Sequence, residues 1–557
     1  MSLPARFLPA LILAAILLPI GAGLWQTALA AAGHLPAIGA QGPDLAAWAA
    51  LWDRPGLGRA VWLSLFTGIG ATLLSFLLAL ASAVAITRKG RGGRLLAPLL
   101  AMPHAALAIG LAFVMAPSGW IARVIAPVLG WDRPPDIASI GDPFGLSLIA
   151  GLTVKEFPFL LLMMLTACAQ IPLQCHLRAG RALGASEARL WLAIVLPQIW
   201  PLMRLPVLVV LAYSMSVVDV ALILGPSNPP TLAVLLARDY ADPDLTRLMS
   251  GSAGSLLQLA LVGAAAGAVL LIRGPVARLG GAWVHAGAPA PGAGIALRAL
   301  RGAAWIAMTL GFGAMVALVI WSLAWRWAFP DLVPQELSLR IWARSAQGWA
   351  APLANTLIMA GASTALALLA AIAWLESETR SNRRMPWAEA AIFVPLLLPQ
   401  IGFLFGVNTA ALRAGLSPGM WLVVWGHAIF VFPYAMIALA DPWRSVDPRH
   451  FRAGAALGAG PWRRLFALRL PILLRLILTA AAIGIAVSVA QYLPTLFLGA
   501  GRTPSLTTEA VTLAASSDRR VTAVVATIQA ALPLMGFAAA FVIPAILHRN
   551  RRHLRGA

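Results

Sequence analysis

The spacing of the apolar runs constrains this chain more than any other feature. Stretches of about 20 residues with almost no charge recur along its whole length. As a helix, each is long enough to cross the ~30 Å hydrocarbon core of a bilayer. In that medium every backbone N–H and C=O needs a partner inside the segment, so such runs must be helical. Hydrophobic residues make up 60% of the 557 and charged ones only 11%, with a mean hydropathy of +0.84, which excludes a soluble globular protein. The expected fold is all-α and polytopic, with about twelve spans. In the first half they fall near 7–32, 59–86, 95–117, 146–170, 198–225 and 251–272. In the second half they fall near 299–325, 352–374, 389–411, 420–440, 473–498 and 521–547.

Charge provides an independent check on that number. The formal net charge is +21, which in a soluble chain would point to nucleic acid. Here the arginines gather in short loops between spans, as the positive-inside rule requires, so no nucleic-acid partner is implied. With Arg6 inside, twelve spans put Arg88, Lys89, Arg91 and Arg94 inside, together with Arg273 to Arg301, Arg380, Arg383, Arg384 and the tail Arg549 to Arg555. Acidic or mixed loops such as Asp132 to Asp142 and Asp239 to Asp244 then lie outside. Both termini are expected on the cytoplasmic side. The first run, Phe7 to Ala32, is too long for a signal peptide and reads as a retained helix. Cys168 and Cys175 straddle a helix end at the reducing face, where neither a disulfide nor a metal site is expected.

One polar stretch occurs twice. Its first copy runs Arg178-Ala179-Gly180-Arg181-Ala182-Leu183-Gly184-Ala185 and closes on Ile194-Val195-Leu196-Pro197. Its second runs Arg452-Ala453-Gly454-Ala455-Ala456-Leu457-Gly458-Ala459 and closes on Leu468-Arg469-Leu470-Pro471. Glycine to proline is 13 residues in both, 197 − 184 and 471 − 458. Helix formers, a glycine that permits a break and a second amphipathic turn suit a helix-turn-helix lying along the membrane surface.

This pattern resembles the cytoplasmic Glu-Ala-Ala loop of binding-protein-dependent ABC importer permeases. Ala179, Gly184, Ile194, Leu196 and Pro197 match in the first copy, and Ala453, Gly458, Leu470 and Pro471 in the second. Arg178 and Arg452 stand where that family has Glu, and Gly180 and Gly454 replace its second Ala. The resemblance implies a type I importer permease in a bacterial inner membrane, with the loops at 172–197 and 446–471 docking an ATPase. It also implies an extracytoplasmic substrate-binding protein as a second partner.

Further echoes make the chain a parallel duplication. Pro98-Leu99-Leu100-Ala101-Met102-Pro103 answers Pro395-Leu396-Leu397-Leu398-Pro399, and Glu156-Phe157-Pro158-Phe159 answers Val431-Phe432-Pro433-Tyr434. Pro230-Thr231-Leu232 precedes Pro504-Ser505-Leu506 by 274 residues, the same offset as Gly184 to Gly458. The expected division is a first half at 1–272, a Gly/Ala/Pro-rich cytoplasmic joint at 273–298, read as flexible, and a second half at 299–557. The whole is similar to the double-length permeases of ferric-iron and thiamine importers and their relatives.

The chain carries no motif that could power transport. A P-loop needs Lys followed by Ser or Thr after a glycine-rich turn, yet Lys89 precedes Gly90 and Lys155 precedes Glu156, and there are no other lysines. ATP and Mg²⁺ are therefore expected in a separate ATPase, docked in two copies, with no cofactor or metal in this chain. Candidate pathway residues are those whose placement in hydrocarbon costs roughly 2.5–3.5 kcal/mol each: Lys155 and Glu156 in the fourth span and Asp219 in the fifth. His104 and Gln400 join them, because each follows a proline at matching points of the repeat. His427, Asn355 and Gln491 are weaker candidates. Lys155, Glu156 and Asp219 have no charged counterparts at the matching places of the second half, which predicts an asymmetric pathway. The competing reading is a secondary transporter of the major-facilitator type. Its basic loop wants Asp where Thr87 stands, and it leaves the duplicated loops without a reason.

Overall fold

The structure, a computed structural model, describes residues 4–89, 96–287, 290–515 and 518–547. Arg91, Arg94 and the tail Arg549 to Arg555 lie outside them. Ten described helices are long and apolar enough to cross a membrane: Phe7–Ala31, Leu57–Thr87, His104–Leu129, Leu146–Ala169, Glu187–Ser216, Arg247–His285, Ala293–Leu323, Ala346–Ser381, Met420–Ser445 and Arg519–Leu547. Two bent pairs, Pro386–Leu397 with Ile401–Arg413 (98°) and Pro461–Ile472 with Leu474–Val489 (75°), bring the number to twelve. Each falls on an expected run. Large apolar side chains such as Val128, Leu271 and Trp421 are about four-fifths exposed, as helices facing lipid require.

Four runs differ from unbroken spans. The third is preceded by a short helix, Ala97–Ala101, and breaks at Met102 and Pro103 before His104–Met115. The ninth bends at Leu398-Pro399-Gln400. In both, a proline supplies no N–H to the ladder. The fifth and eleventh break without one at the break itself. Helix Leu196–Ser216 stops and restarts as Asp219–Leu224, while Leu474–Val489 restarts as Leu493–Gly499. What sustains these two breaks is side-chain capture of freed carbonyls. Gln258 Nε2 donates to Met215 O at 2.7 Å. Thr507 Oγ1 donates to Val489 O, 274 residues on, and is itself held by Gln529 Nε2.

The joint expected to be flexible is largely helical. Helix Arg247–His285 runs through Pro275, and the seventh helix starts at Ala293. Alanine-rich sequence has enough helix propensity to outweigh scattered glycines and one proline.

The halves are interlocked rather than side by side. The first helix of each half packs on the other half: Phe7–Ala31 lies on the ninth span, and Ala293–Leu323 on the third. Small residues allow the backbones to touch there. A Cβ on Gly406 would sit 1.8 Å from Gly23 O, and one on Gly110 would sit 2.5 Å from Ala314 O. The two major buried clusters follow the same exchange. One combines Leu13, Ile16 and Ile20 with Phe403, Phe430 and Phe432; the other combines Ala314, Leu318 and Trp321 with Phe113 and Phe157. The duplication also recurs in small detail. Leu232 N donates to Ser64 Oγ and Leu506 N donates to Thr356 Oγ1, both at 2.9 Å.

Candidate functional site

The two repeated loops fold alike. Helices Leu173–Ala182 and Pro448–Ala456 each end in a glycine with positive φ, Gly184 at +76° and Gly458 at +80°. The closing bonds correspond one for one. Ala185 N donates to Gly180 O (3.1 Å) and Leu183 N to Ala179 O (3.2 Å), while Ala459 N donates to Gly454 O (2.9 Å) and Leu457 N to Ala453 O (3.1 Å). A short second helix follows, Glu187–Leu190 or Pro461–Arg464. Each then passes through a widened π turn, Trp191–Val195 or Leu465–Arg469. Leu196-Pro197 and Leu470-Pro471 come immediately after and lead into the fifth and eleventh spans.

The structure explains one departure from the family pattern and shows residues the sequence reading passed over. Gly180 and Gly454 lie where the two arms of each loop meet. A Cβ there would approach Leu190 Cδ2 to 2.1 Å in the first loop and Leu468 Cδ1 to 2.8 Å in the second, so the second alanine of the pattern would have to displace a leucine tip in each loop. Arg178, Arg452, Ala179 and Ala453 are all exposed. At the tips, Leu183 and Leu457 are each 87% exposed and stand 274 residues apart. Their signal was available as an apolar residue directly before each turn glycine.

A polar centre forms where the broken helices meet. His104 begins its helix just after the break at Pro103, and its Nε2 lies 3.2 Å from Glu156 Oε1. The His104 ring stacks at a tilt on Tyr213, 4.7 Å between centroids. Asp219 opens the short helix after the fifth-span break, 6% exposed and within electrostatic reach of His104, Tyr213 and Tyr492. Tyr434 lies within electrostatic reach of Glu156. Three of the chain's four tyrosines thus lie within electrostatic reach of one or both of two carboxylates. That scarcity was the sequence signal that could have found them.

Lys155 has a different role from its neighbour. Its ammonium donates to Leu99 O (3.2 Å), Leu100 O (3.1 Å) and Met102 O, capping the helix that ends at Ala101. A cation among freed carbonyls at a helix C-terminus is a structural arrangement. Gln400 lies at the ninth-span bend, where its carbonyl accepts from Leu404 N at 3.0 Å; among the described residues no hydrogen bond ties its side chain to the centre. The second half has a neutral network instead. His427 lies between Ser488 Oγ (2.8 Å) and Thr495 Oγ1 (2.9 Å), with Ser363 behind Ser488. Asn355 Nδ2 donates to Pro504 O at 3.0 Å, and Gln491 is buried at the eleventh-span break. Cys168 is buried, Cys175 is exposed, and both are free thiols.

Comparison with known proteins places this architecture. Residues 363–552 match the family described as the binding-protein-dependent transport system inner membrane component. Over 519 residues the chain is 31% identical to the inner membrane ABC transporter permease protein YnjC of Escherichia coli, covering 92% of this chain and 93% of that one. The chain belongs to the binding-protein-dependent ABC transporter permeases. The "Probable ABC transporter permease protein y4fN" of Sinorhizobium fredii is 24% identical over 448 residues, 74% of this permease and 73% of that protein. PhnV of Salmonella typhimurium, named as a permease of a 2-aminoethylphosphonate transport system, is 22% identical over 212 residues, 37% of this chain and 78% of its own. The permease is therefore a multi-pass inner-membrane subunit of a binding-protein-dependent transporter, and the major-facilitator reading is set aside.

Proposed function

We propose that this permease carries both ATPase-docking elements of its transporter on one polypeptide, so that one chain works with two copies of a P-loop ATPase. The observation that carries the reading is the bond-for-bond identity of the loops around Gly184 and Gly458, each presenting an exposed leucine and arginine outward. Both loops and both termini then face the cytoplasm, ATP and Mg²⁺ are bound by the ATPase, and an extracytoplasmic binding protein delivers substrate to the opposite face. Co-expression with its cognate ATPase tests this. A complex of one permease with two ATPase chains is expected, and an isolated complex with a single ATPase overturns the reading.

Within the membrane, the route runs past the polar centre. Glu156, Asp219 and His104 line it, with Lys155 holding the broken helix open beside them and Gln400 marking the equivalent bend of the second half. Two carboxylates within a group of tyrosines favour a substrate bearing a cationic group, since aromatic faces and carboxylates both attract one. Asp219→Asn keeps volume and removes charge. Substrate-stimulated ATP hydrolysis is expected to fall while thermal stability holds; a parallel loss of stability would assign Asp219 to the framework instead.

A further inference from the structure

The second coupling loop contains a feature that transport as described does not use. Between the end of helix Ala346–Ser381 and the loop lies a half-open cavity of about 160 Å³, with Glu376, Arg380, Phe451, Arg464 and Arg469 in its wall. A water's share of liquid volume is about 30 Å³, so the space suits a small polyatomic ion. Three guanidinium groups meet one carboxylate. Both oxygens of Glu376 are engaged, Oε1 accepting from Arg380 Nε at 2.7 Å and Oε2 from Arg469 Nη1 at 2.8 Å. Two positive charges are left over. Among the described residues Arg464 has no carboxylate partner.

The donors are also unfulfilled. Arg380 Nη2, Arg464 Nε and Arg469 Nε are each buried with no acceptor among the described residues, and Arg469 is only 8% exposed. Protein interiors rarely leave such N–H groups empty, because dry donors of a charged group are costly. The guanidinium planes are held in place by rings, Arg469 over Phe451 (4.1 Å) and Trp443 (5.1 Å), and Arg380 over Trp462 (4.6 Å). Guanidinium groups held rigidly in a cavity wall match the edges of a tetrahedral oxyanion. The first loop has nothing comparable. At the 274-residue offset, Arg464 and Arg469 become Leu190 and Val195, both buried apolar side chains.

We infer that this cavity binds a phosphate-type oxyanion and that the permease is thereby responsive to an anion at one of its two coupling loops. The binding site rests on geometry alone; only its consequence for coupling rests on the reading of the loops. At the level of a membrane surface the same chemistry is offered by the headgroup of an anionic phospholipid and by free inorganic phosphate. The test uses the full-length chain in neutral detergent, titrated with sodium phosphate against sodium chloride at matched ionic strength. In parallel it is exposed to phosphatidylglycerol or phosphatidylcholine and examined by native mass spectrometry. Saturable phosphate binding beyond the chloride response supports the free ion; retention of phosphatidylglycerol over phosphatidylcholine without a phosphate response supports the headgroup.

In either case Arg464→Gln weakens binding about tenfold, the loss of one charge-assisted contact, and Arg464→Lys, which keeps charge but not the fork, falls between. Among the described residues Arg464 carries no ion pair, so the folded yield of both variants is expected to match the parent. Undiminished binding in both variants overturns the location. A chain with no phosphate response and no lipid preference overturns the site, while leaving the ATPase stoichiometry test above unaffected.

Discussion

The two coupling loops have the same outline and opposite interiors. In the first, the inward face is apolar: Leu177, Leu190, Trp191 and Val195 are buried to within 2% and share a buried cluster with residues of the second, fourth and fifth spans, while the short helix Glu187–Leu190 packs on the seventh span. In the second, the equivalent of Val195 is Arg469, tied to Glu376, and the surroundings are ionic. Arg444 binds Glu378 through two bonds at 2.8 Å and Glu389 at 2.7 Å, and Arg384 binds Glu389 through two at 2.9 Å. The backbone path is dictated by a left-handed glycine, a close glycine contact and a π turn, which both loops possess. The chemistry that seats each loop on the membrane domain is free to differ. Duplication has kept the surface a partner would meet and left the anchoring to diverge.

That contrast can be broken most severely at Trp191. Trp191→Ala should cost about 3–5 kcal/mol, the usual loss for a fully buried aromatic, seen as a lower thermal midpoint in detergent that salt does not alter. A loss under about 1 kcal/mol would show that the apolar seat is not what holds the first loop. Next is the ionic seat. Arg469→Ala removes one of the two guanidinium partners of the Glu376 carboxylate and leaves Arg380 as the other, a loss of about 1.5–3 kcal/mol for one hydrogen bond between charged groups. Arg469→Lys, which keeps the charge but not the planar fork, should lose less. Equal losses in the two variants would contradict the ion pair as anchor.

The shared outline is probed at the turn glycines. Gly184→Val and Gly458→Val force a β-branched residue to positive φ, worth at least about 1–2 kcal/mol of local strain. The chain should stay in the membrane, and transport should uncouple from ATP hydrolysis to a similar degree in the two variants. Wild-type transport in both would remove the loops from coupling. The smallest effect separates the loops again. Gly180→Ala meets Leu190 at 2.1 Å and Gly454→Ala meets Leu468 at 2.8 Å; overpacking of about 1–3 kcal/mol is expected for the first and less for the second. The reverse order in thermal midpoints would mean that the first loop yields more easily than its apolar seat implies.

Much of the fold was legible because hydrocarbon imposes so few solutions. Twelve runs became twelve spans, and the 274-residue offset between loops reappears in the Ser64–Leu232 and Thr356–Leu506 bonds. The interruptions at Pro103 and Pro399 were signalled by proline. Those after Ser216 and Val489 were not, since the side chains that stabilise them, Gln258 and Thr507, come from elsewhere in the chain. Glu156 and Asp219 were singled out by charge in an apolar setting, and His104 by its place directly after Pro103. The tyrosines around them were not, because their signal is scarcity, four in 557 residues, rather than charge. Lys155 shared the signal of its neighbour Glu156 and proved to serve a helix end.

By itself, then, the sequence determined what depends on local composition and period: a polytopic helical chain, its twofold repeat, and two glycine-turned loops between apolar spans. The tertiary structure alone decided what depends on distant residues meeting. It carried each half's first helix across to the other half, on the Gly23–Gly406 and Gly110–Ala314 contacts. It gathered the polar centre from the third, fourth, fifth, tenth and eleventh spans, and it seated two equivalent loops on unlike foundations. Helical span and turn are encoded within a few residues of chain, whereas packing partners and ion pairs are chosen across hundreds, where pattern in one segment holds no record of the other.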